Sequence, residues 1–282
     1  MIEEEVREEL GRLLRPYSES IMAALTAIGR LDLLLAKASL ALSLGLSRPR
    51  LTSGATAYKG LVYLPVERML NERGKEFQSV DISLRRGVTL ITGANMGGKT
   101  VTLKSVALAQ AMVQFGMYAP ARRAEVNPVA SIEVSMGDAQ SEAEGLSSFG
   151  AEIVRLDSII RKAAAGEKML VLIDEPARNT NPEEGEAIVN ALVGLLNDRD
   201  CFSLITTHYG NIRSMCRRLK VRGLREIVAE GQHVRPGMLQ RWMDYSLLPA
   251  DGLPPAHEAC RIARLLGIDD TFATAIEKNI TK

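Results

Sequence analysis

Aromatic residues are scarce in this 282-residue chain, at 4% of the sequence, and there are three cysteines, Cys201, Cys216 and Cys260. An odd count without ligand-like spacing argues against a disulfide frame or a cysteine-held metal and reads as reduced thiols. An excess of one charge is missing too. Thirty-five basic residues face thirty-four acidic ones for a net charge of +1, so no global field argues for nucleic acid. There is no long uncharged apolar run: the most apolar region, Ile21 to Leu46, contains Arg30, Asp32 and Lys37, which suits an amphipathic helix rather than a membrane span. The opening stretch, with Glu3, Glu4 and Glu5, is the wrong start for a secretory signal. The expectation is a cytoplasmic protein without membrane contact. What is plentiful is aliphatic side chain and alanine. With 46% hydrophobic residues, the chain can bury a core of one domain or one and a half, built from helices packed on a sheet.

Residues 1 to about 46 carry a helical pattern interrupted near Pro16. Ile21, Leu25, Ile28, Leu31 and Leu35 recur at three- and four-residue steps, giving one apolar face that needs a partner. Arg48-Pro49-Arg50 ends this segment, and residues 51–85 read as short strands and turns. From 86 to about 210, strand-like runs (88–92, 169–173, 201–206) alternate with helical ones (101–116, 150–165, 184–196). That alternation predicts an α/β fold with a mainly parallel sheet flanked by helices. Residues 224–248 read as a β-hairpin and 255–282 as two short helices around Gly267-Ile268-Asp269. The segment 211–241 is locally basic, with Arg213, Arg217, Arg218, Lys220, Arg222, Arg225, Arg235 and Arg241 against Glu226 and Glu230. A solvated face with arginine stems lying along the surface accounts for it, and a nucleic-acid face is the alternative.

Three stretches carry chemistry. "GANMGGKT", residues 93–100, fits the P-loop spacing, with an apolar strand-like run before it and a helical stretch after it. The glycines allow backbone N–H groups to turn toward phosphate oxygens, Lys99 offers a charge to the β- and γ-phosphates, and Thr100 offers a hydroxyl to Mg²⁺. "MLVLIDEP", residues 169–176, is an apolar strand ending in two carboxylates. Asp174 is placed to reach Mg²⁺, and Glu175 to orient or deprotonate the attacking water. "LITTHY", residues 204–209, ends the next strand in His208, which can hydrogen-bond the γ-phosphate or the water. Between them, "GLSSFGAEIVRL" places Ser147 and Ser148 before a helix, as N-caps or as an anion-binding end. The order of P-loop, serine-rich helix start, acid pair and histidine belongs to ATPases whose sites close when two domains meet face to face.

These stretches together resemble the ATPase domain of the MutS proteins, DNA mismatch-repair members of the ABC-type P-loop ATPases. "ITGANMGGKT" is similar to the family's ITGPNMGGKS, "GLSSF" to its GRSTF, "LIDEPARNT" to its MDEIGRGT and "TTHY" to its ATHY. "IGRLDLLLAKASLA", residues 28–41, looks like the last long helix of the family's lever, and "HEACRIARLLGID" like the start of its C-terminal dimerisation segment. The resemblance implies ATP and Mg²⁺ as ligands. The nucleotide would be held by Gly93, Asn95, Met96, Gly97, Gly98, Lys99, Thr100 and Val101, with Phe77 stacked on adenine. It implies Thr100 and Asp174 at the metal, Glu175, His208 and Lys99 in catalysis, and Ser147 acting across a dimer interface. It divides the chain into a helical remnant (1–50), the ATPase domain (51–250) and a C-terminal helical dimerisation segment (251–282).

The departures are equally specific. Leu146 stands where the family often has arginine, and Pro176-Ala177-Arg178-Asn179 replaces a glycine-bearing loop. The roughly 80 residues before the sheet cannot hold a mismatch-reading domain or full clamp. Two functions follow. In the first, a homodimer or heterodimer with a related subunit remodels a protein partner. Short MutS relatives that reactivate an adenosylcobalamin-dependent aminomutase are the resemblance behind it. In the second, a DNA-binding MutS relative acts in mismatch repair or recombination. Balanced charge and the missing reading domains favour the first, so DNA binding is possible but not favoured.

Overall fold

The computed structural model describes residues 2–93, 98–137, 148–178, 180–225, 241–250 and 258–280. The chain divides into two compact units, Met1–Leu46 and Ser47–Lys282. The first unit comprises helices α1 (Ile2–Leu14) and α2 (Ser18–Ser43), joined by a 3₁₀ turn at Arg15–Tyr17. The turn accommodates Pro16 at its start, where a missing N–H costs nothing. Glu3, Glu4 and Glu5 occupy the first turn of α1, where acidic groups oppose the positive helix end. The C-terminus of α2 closes in a Schellman turn. The Gly45 N–H donates to the Leu42 carbonyl and the Leu46 N–H to the Ala41 carbonyl, with Gly45 left-handed at φ +60°. The apolar row Ile21, Leu25, Ile28, Leu31 and Leu35 is exposed throughout. No helix among the described residues is long and apolar enough to cross a membrane.

The second unit holds two sheets. The smaller comprises β1 (Arg50–Leu51), β2 (Thr56–Leu61), β3 (Val80–Leu84) and β5 (Arg123–Val126) in the order β1-β5-β2-β3. Helix α3 (Leu64–Asn71) interrupts it, in a stretch whose pattern predicts only strands and turns. The larger sheet takes β4 (Gly87–Thr92), β6 (Ser131–Met136), β7 (Met169–Asp174), β8 (Cys201–Thr206), β9 (Arg217–Leu224) and β10 (Met243–Pro249) in the order β10-β9-β4-β8-β7-β6. All its pairs are parallel except β9 with β10. This is the mainly parallel α/β sheet flanked by helices that the alternation predicts. The antiparallel pair begins earlier than expected, at Arg217 rather than near 224. In β9 the buried Leu219 and Val221 alternate with more accessible Arg218, Lys220 and Arg222, so three of the eight basic residues of that segment lie on one more accessible face of a strand.

Each central strand buries both faces. In β7, Leu170 and Leu172 pack with Leu103, Val106 and Ala109 of α4 (Lys99–Gln114) and with Tyr58, Ile82 and Leu84 of the smaller sheet. The alternate residues Met169, Val171 and Ile173 join Leu156 and Ile159 of α5 (Ser148–Ala164) and Val189, Leu192 and Leu196 of α6 (Pro182–Asn197). Asn181 caps α6 by accepting from the Glu183 N–H at 3.0 Å, with Pro182 opening the helix. Helices α7 (Glu258–Leu265) and α8 (Asp270–Ile280) follow, and Leu265 packs with Leu224 and Met243.

Because β4, β8 and β7 are neighbours in parallel register, their carboxyl ends lie side by side: Ile91 pairs with Thr206, and Thr206 with Asp174. Open α/β sheets bind ligands at such ends. The loops leaving these three strands are the P-loop, the acid pair and the histidine turn.

Candidate functional site

Gly93 leaves β4 at φ +136° and Gly98 caps α4 at φ +71°, backbone conformations that only glycine adopts without strain. Lys99 begins α4 and is 3% exposed. Its Nζ donates to the Gly93 carbonyl at 2.7 Å and sits 3.1 Å from the Glu175 carboxylate. Asn95, Met96, Gly97 and Ser147 lie outside the described residues. Ser148 opens α5 directly after Ser147. Val101 lies half-buried in the first turn of α4.

The Thr100 hydroxyl donates to one oxygen of Asp174 at 2.6 Å, and the Thr206 hydroxyl donates to the other at 2.6 Å. Thr206 also accepts from the Glu175 N–H at 3.0 Å, while its carbonyl accepts from the same N–H at 3.2 Å. One threonine therefore ties the two acids of the pair together. Glu175 is 12% exposed, with three cationic or ionisable groups around its carboxylate: Lys99, Arg178 Nε at 3.8 Å and His208 Nδ1 at 4.0 Å. His208 itself is more open to solvent and rests against the Tyr209 ring. A threonine hydroxyl beside a carboxylate is an oxygen donor set of the hard kind that Mg²⁺ takes, so the residues fit that ion. When bound, Mg²⁺ would draw charge from the β- and γ-phosphate oxygens.

Phe77 is half-buried in the segment before β3. Its neighbour Gln78 fastens that segment to β10. The carboxamide donates to Asp244 at 2.8 Å and to Ser246 at 3.3 Å, and accepts from the Tyr245 N–H at 3.3 Å. Burial pushes the Asp244 carboxyl up, but hydrogen bonds from Ser246 and Gln78 and the nearby Arg222 outweigh it and hold the group down at about 2. The ring of Tyr245 packs on the P-loop, where a Cβ added to Gly98 would lie 3.1 Å from the ring. Sequence reasoning missed Tyr245, Gln78 and Thr206. Thr206 was within reach, as a hydroxyl at the end of an apolar strand next to the histidine. Tyr245 and Gln78 meet the site through a β10 bulge that leaves no local signal.

Residues 89–239 match MutS domain V, the ATPase domain of that family. Endonuclease MutS2 of Thermomicrobium roseum is 34% identical over 286 residues, covering 95% of this chain. The chain belongs to the MutS family. Endonuclease MutS2 of Thermus thermophilus is 35% identical over 213 residues, or 73% of this chain, and that of Caldanaerobacter subterraneus is 30% identical over 95% of it. These alignments cover 27% to 35% of the relatives, so the chain spans about a third of the length of the MutS2 proteins it matches. The MutS assignment agrees with the mostly parallel six-stranded sheet flanked by helices. The aminomutase-reactivating subgroup gains no support from these relatives.

Proposed function

We propose that this chain is a MutS-type, Mg²⁺-dependent ATPase module whose two sites are completed at a dimer interface and whose hydrolysis drives work on DNA. The observation that carries the ATPase reading is the meeting of Lys99 with Glu175 and of Thr100 with Asp174 at the carboxyl ends of neighbouring strands. Lys99 is assigned to the β- and γ-phosphates, Thr100 and Asp174 to Mg²⁺, and Glu175 to the proton of the attacking water. His208 is assigned to the γ-phosphate. The backbone of the P-loop, with Phe77 and the neighbouring Tyr245, is assigned to the rest of the nucleotide. Ser147 serves the site of the second subunit, which is either an identical copy or a related chain. In domain terms, 1–50 is a helical lever remnant, 51–250 the ATPase and 251–282 a dimerisation segment.

The relatives' name, an endonuclease, shifts the balance from a protein partner toward DNA. The argument from missing mismatch-reading parts loses its force, because those relatives are about three times longer than the aligned region. Balanced charge remains the observation on the side of a protein partner. A salt titration decides between them. DNA binding through phosphate contacts predicts duplex affinity falling with salt at a slope of about −0.9 per contact. It should weaken when Arg213 and Arg225, both exposed, become alanine. Duplex affinity that ignores salt and both arginines would return the protein-partner reading to first place.

A further inference from the structure

On either side of Pro176, Glu175 and Ala177 both occupy the left-handed region, at φ +46° and +59°, and neither is glycine. Such a conformation persists only where the surroundings enforce it. Thr206 grips the Glu175 N–H, as described above. Ala177, fully buried, is gripped from two other directions. Its N–H donates to a Glu152 carboxylate oxygen at 3.3 Å, and its carbonyl accepts from the Tyr209 hydroxyl at 2.8 Å. Tyr209 gets there by passing against α6 at Gly185, where any Cβ would lie 2.1 Å from the hydroxyl oxygen. Glu152 comes from the opening turns of α5. Burial raises its pKa, against the Ala177 N–H and Arg155, which favour the charged form. A carboxylate kept at that expense beside a strained turn has a use there.

We propose that Glu152 and Tyr209 are positioning residues that hold the left-handed turn and so aim the Glu175 carboxylate, with Glu152 coupling that turn to α5. The inference rests on the ATPase reading above. Helix α5 begins beside the serine assigned to the neighbouring subunit's nucleotide. Glu175 serves the nucleotide of its own subunit. The hydrogen bond from the Ala177 N–H to Glu152 is thus the link by which the position of α5 bears on the turn that carries Glu175.

The test uses the full chain with Mg²⁺ and ATP for turnover and ADP for calorimetric binding. Glu152→Ala should lower kcat at least tenfold and Tyr209→Phe at least threefold, with ADP affinity within twofold of wild type. Glu152→Gln should keep at least half of the turnover, because its amide oxygen accepts the same N–H. A merely structural loss would lower ADP binding along with kcat and would not separate glutamine from alanine. Turnover within twofold of wild type in both Glu152→Ala and Tyr209→Phe overturns the proposal, as does equal loss in Gln and Ala. Should Glu152→Ala fail to fold, Tyr209→Phe and Glu152→Gln decide by the same limits. The ATPase reading fails separately: it falls if wild type does not hydrolyse ATP, whereas Glu175→Gln turning over within twofold of wild type removes Glu175 from its role and the aiming of it with that. An inactive Glu175→Gln beside fully active Glu152→Ala and Tyr209→Phe removes only the positioning role.

Discussion

Replacing Glu175 by glutamine keeps shape and removes one negative charge from a nearly closed site. Two effects of different size follow. Loss of the proton acceptor should slow hydrolysis by about 10²- to 10⁴-fold, the usual contribution of a positioned general base. The second effect is on binding. Without nucleotide, Glu175 holds Lys99 at 3.1 Å, an attraction of about 5 kcal/mol at an effective dielectric constant of about 20. Desolvation of the two charges cancels most of it, and a hydrogen bond between charged groups contributes about 1.5–3 kcal/mol net. The neutral amide keeps a weaker bond to Lys99, so the lower figure applies. Lys99 is then freer to meet phosphate, and Kd for a non-hydrolysable ATP analogue should fall by about tenfold. Calorimetric titration in Mg²⁺ measures the binding, and steady-state phosphate release measures the turnover. Hydrolysis within twofold of wild type would remove Glu175 from its role. Slow hydrolysis with weakened binding would show instead that the Lys99–Glu175 pair does not compete with nucleotide.

Lys99→Met removes the charge from the phosphate site and should weaken nucleotide binding at least tenfold by the same titration. Unchanged affinity would mean that the loop does not act as a P-loop. Ser147→Arg should abolish hydrolysis while leaving nucleotide binding to the monomer nearly intact, and mixing it with Glu175→Gln should restore part of the turnover. Demonstrated subunit exchange without recovery would take Ser147 out of the neighbour's site or require that the two sites fire only together. For Asp244, the folded pKa of about 2 lies below the ordinary 3.8, so its stabilising contribution is complete above pH 4 and lost as pH falls through 2. Asp244→Asn should therefore melt below wild type at pH 5, with the gap closing toward pH 2; a gap independent of pH would refute the assignment.

The parallel core was legible because β4, β7 and β8 are mostly apolar runs bounded by turn residues, and α4, α5 and α6 keep helical periodicity. The smaller sheet was legible only in outline, as short strands and turns over 51–85. Its strands are short, and β2 contains Gly60 at φ +62° and a register shift between Tyr58 and Leu61, so no clean alternation survives. The start of β9 was hidden by its own charge. Counting arginines in "RRLKVRGL" draws attention to the outward residues and away from the buried Leu219 and Val221 between them. At the site, the residues of the contiguous motifs could be read directly. Glu152, Tyr209 and Gly185 could not, because each acts through a contact that exists only after α5, α6 and the turn after β7 have packed.

The contact between Gly185 and Tyr209 also constrains how this chain can diverge. A methyl group at position 185 would lie 2.1 Å from the tyrosine hydroxyl oxygen and 2.3 Å from its ring carbon, so position 185 cannot gain a side chain while the tyrosine stays. Homologues that carry a side chain at 185 should have given up the ring at 209, and those should show another donor for the carbonyl at 177. A side chain at 185 should therefore be found only where the ring at 209 has already been lost, an order of events that links a helix to a loop. A lineage with alanine at 185 and an unaltered tyrosine at 209 would have had to move α6 outward, leaving a record of that step in the residues packed beneath it.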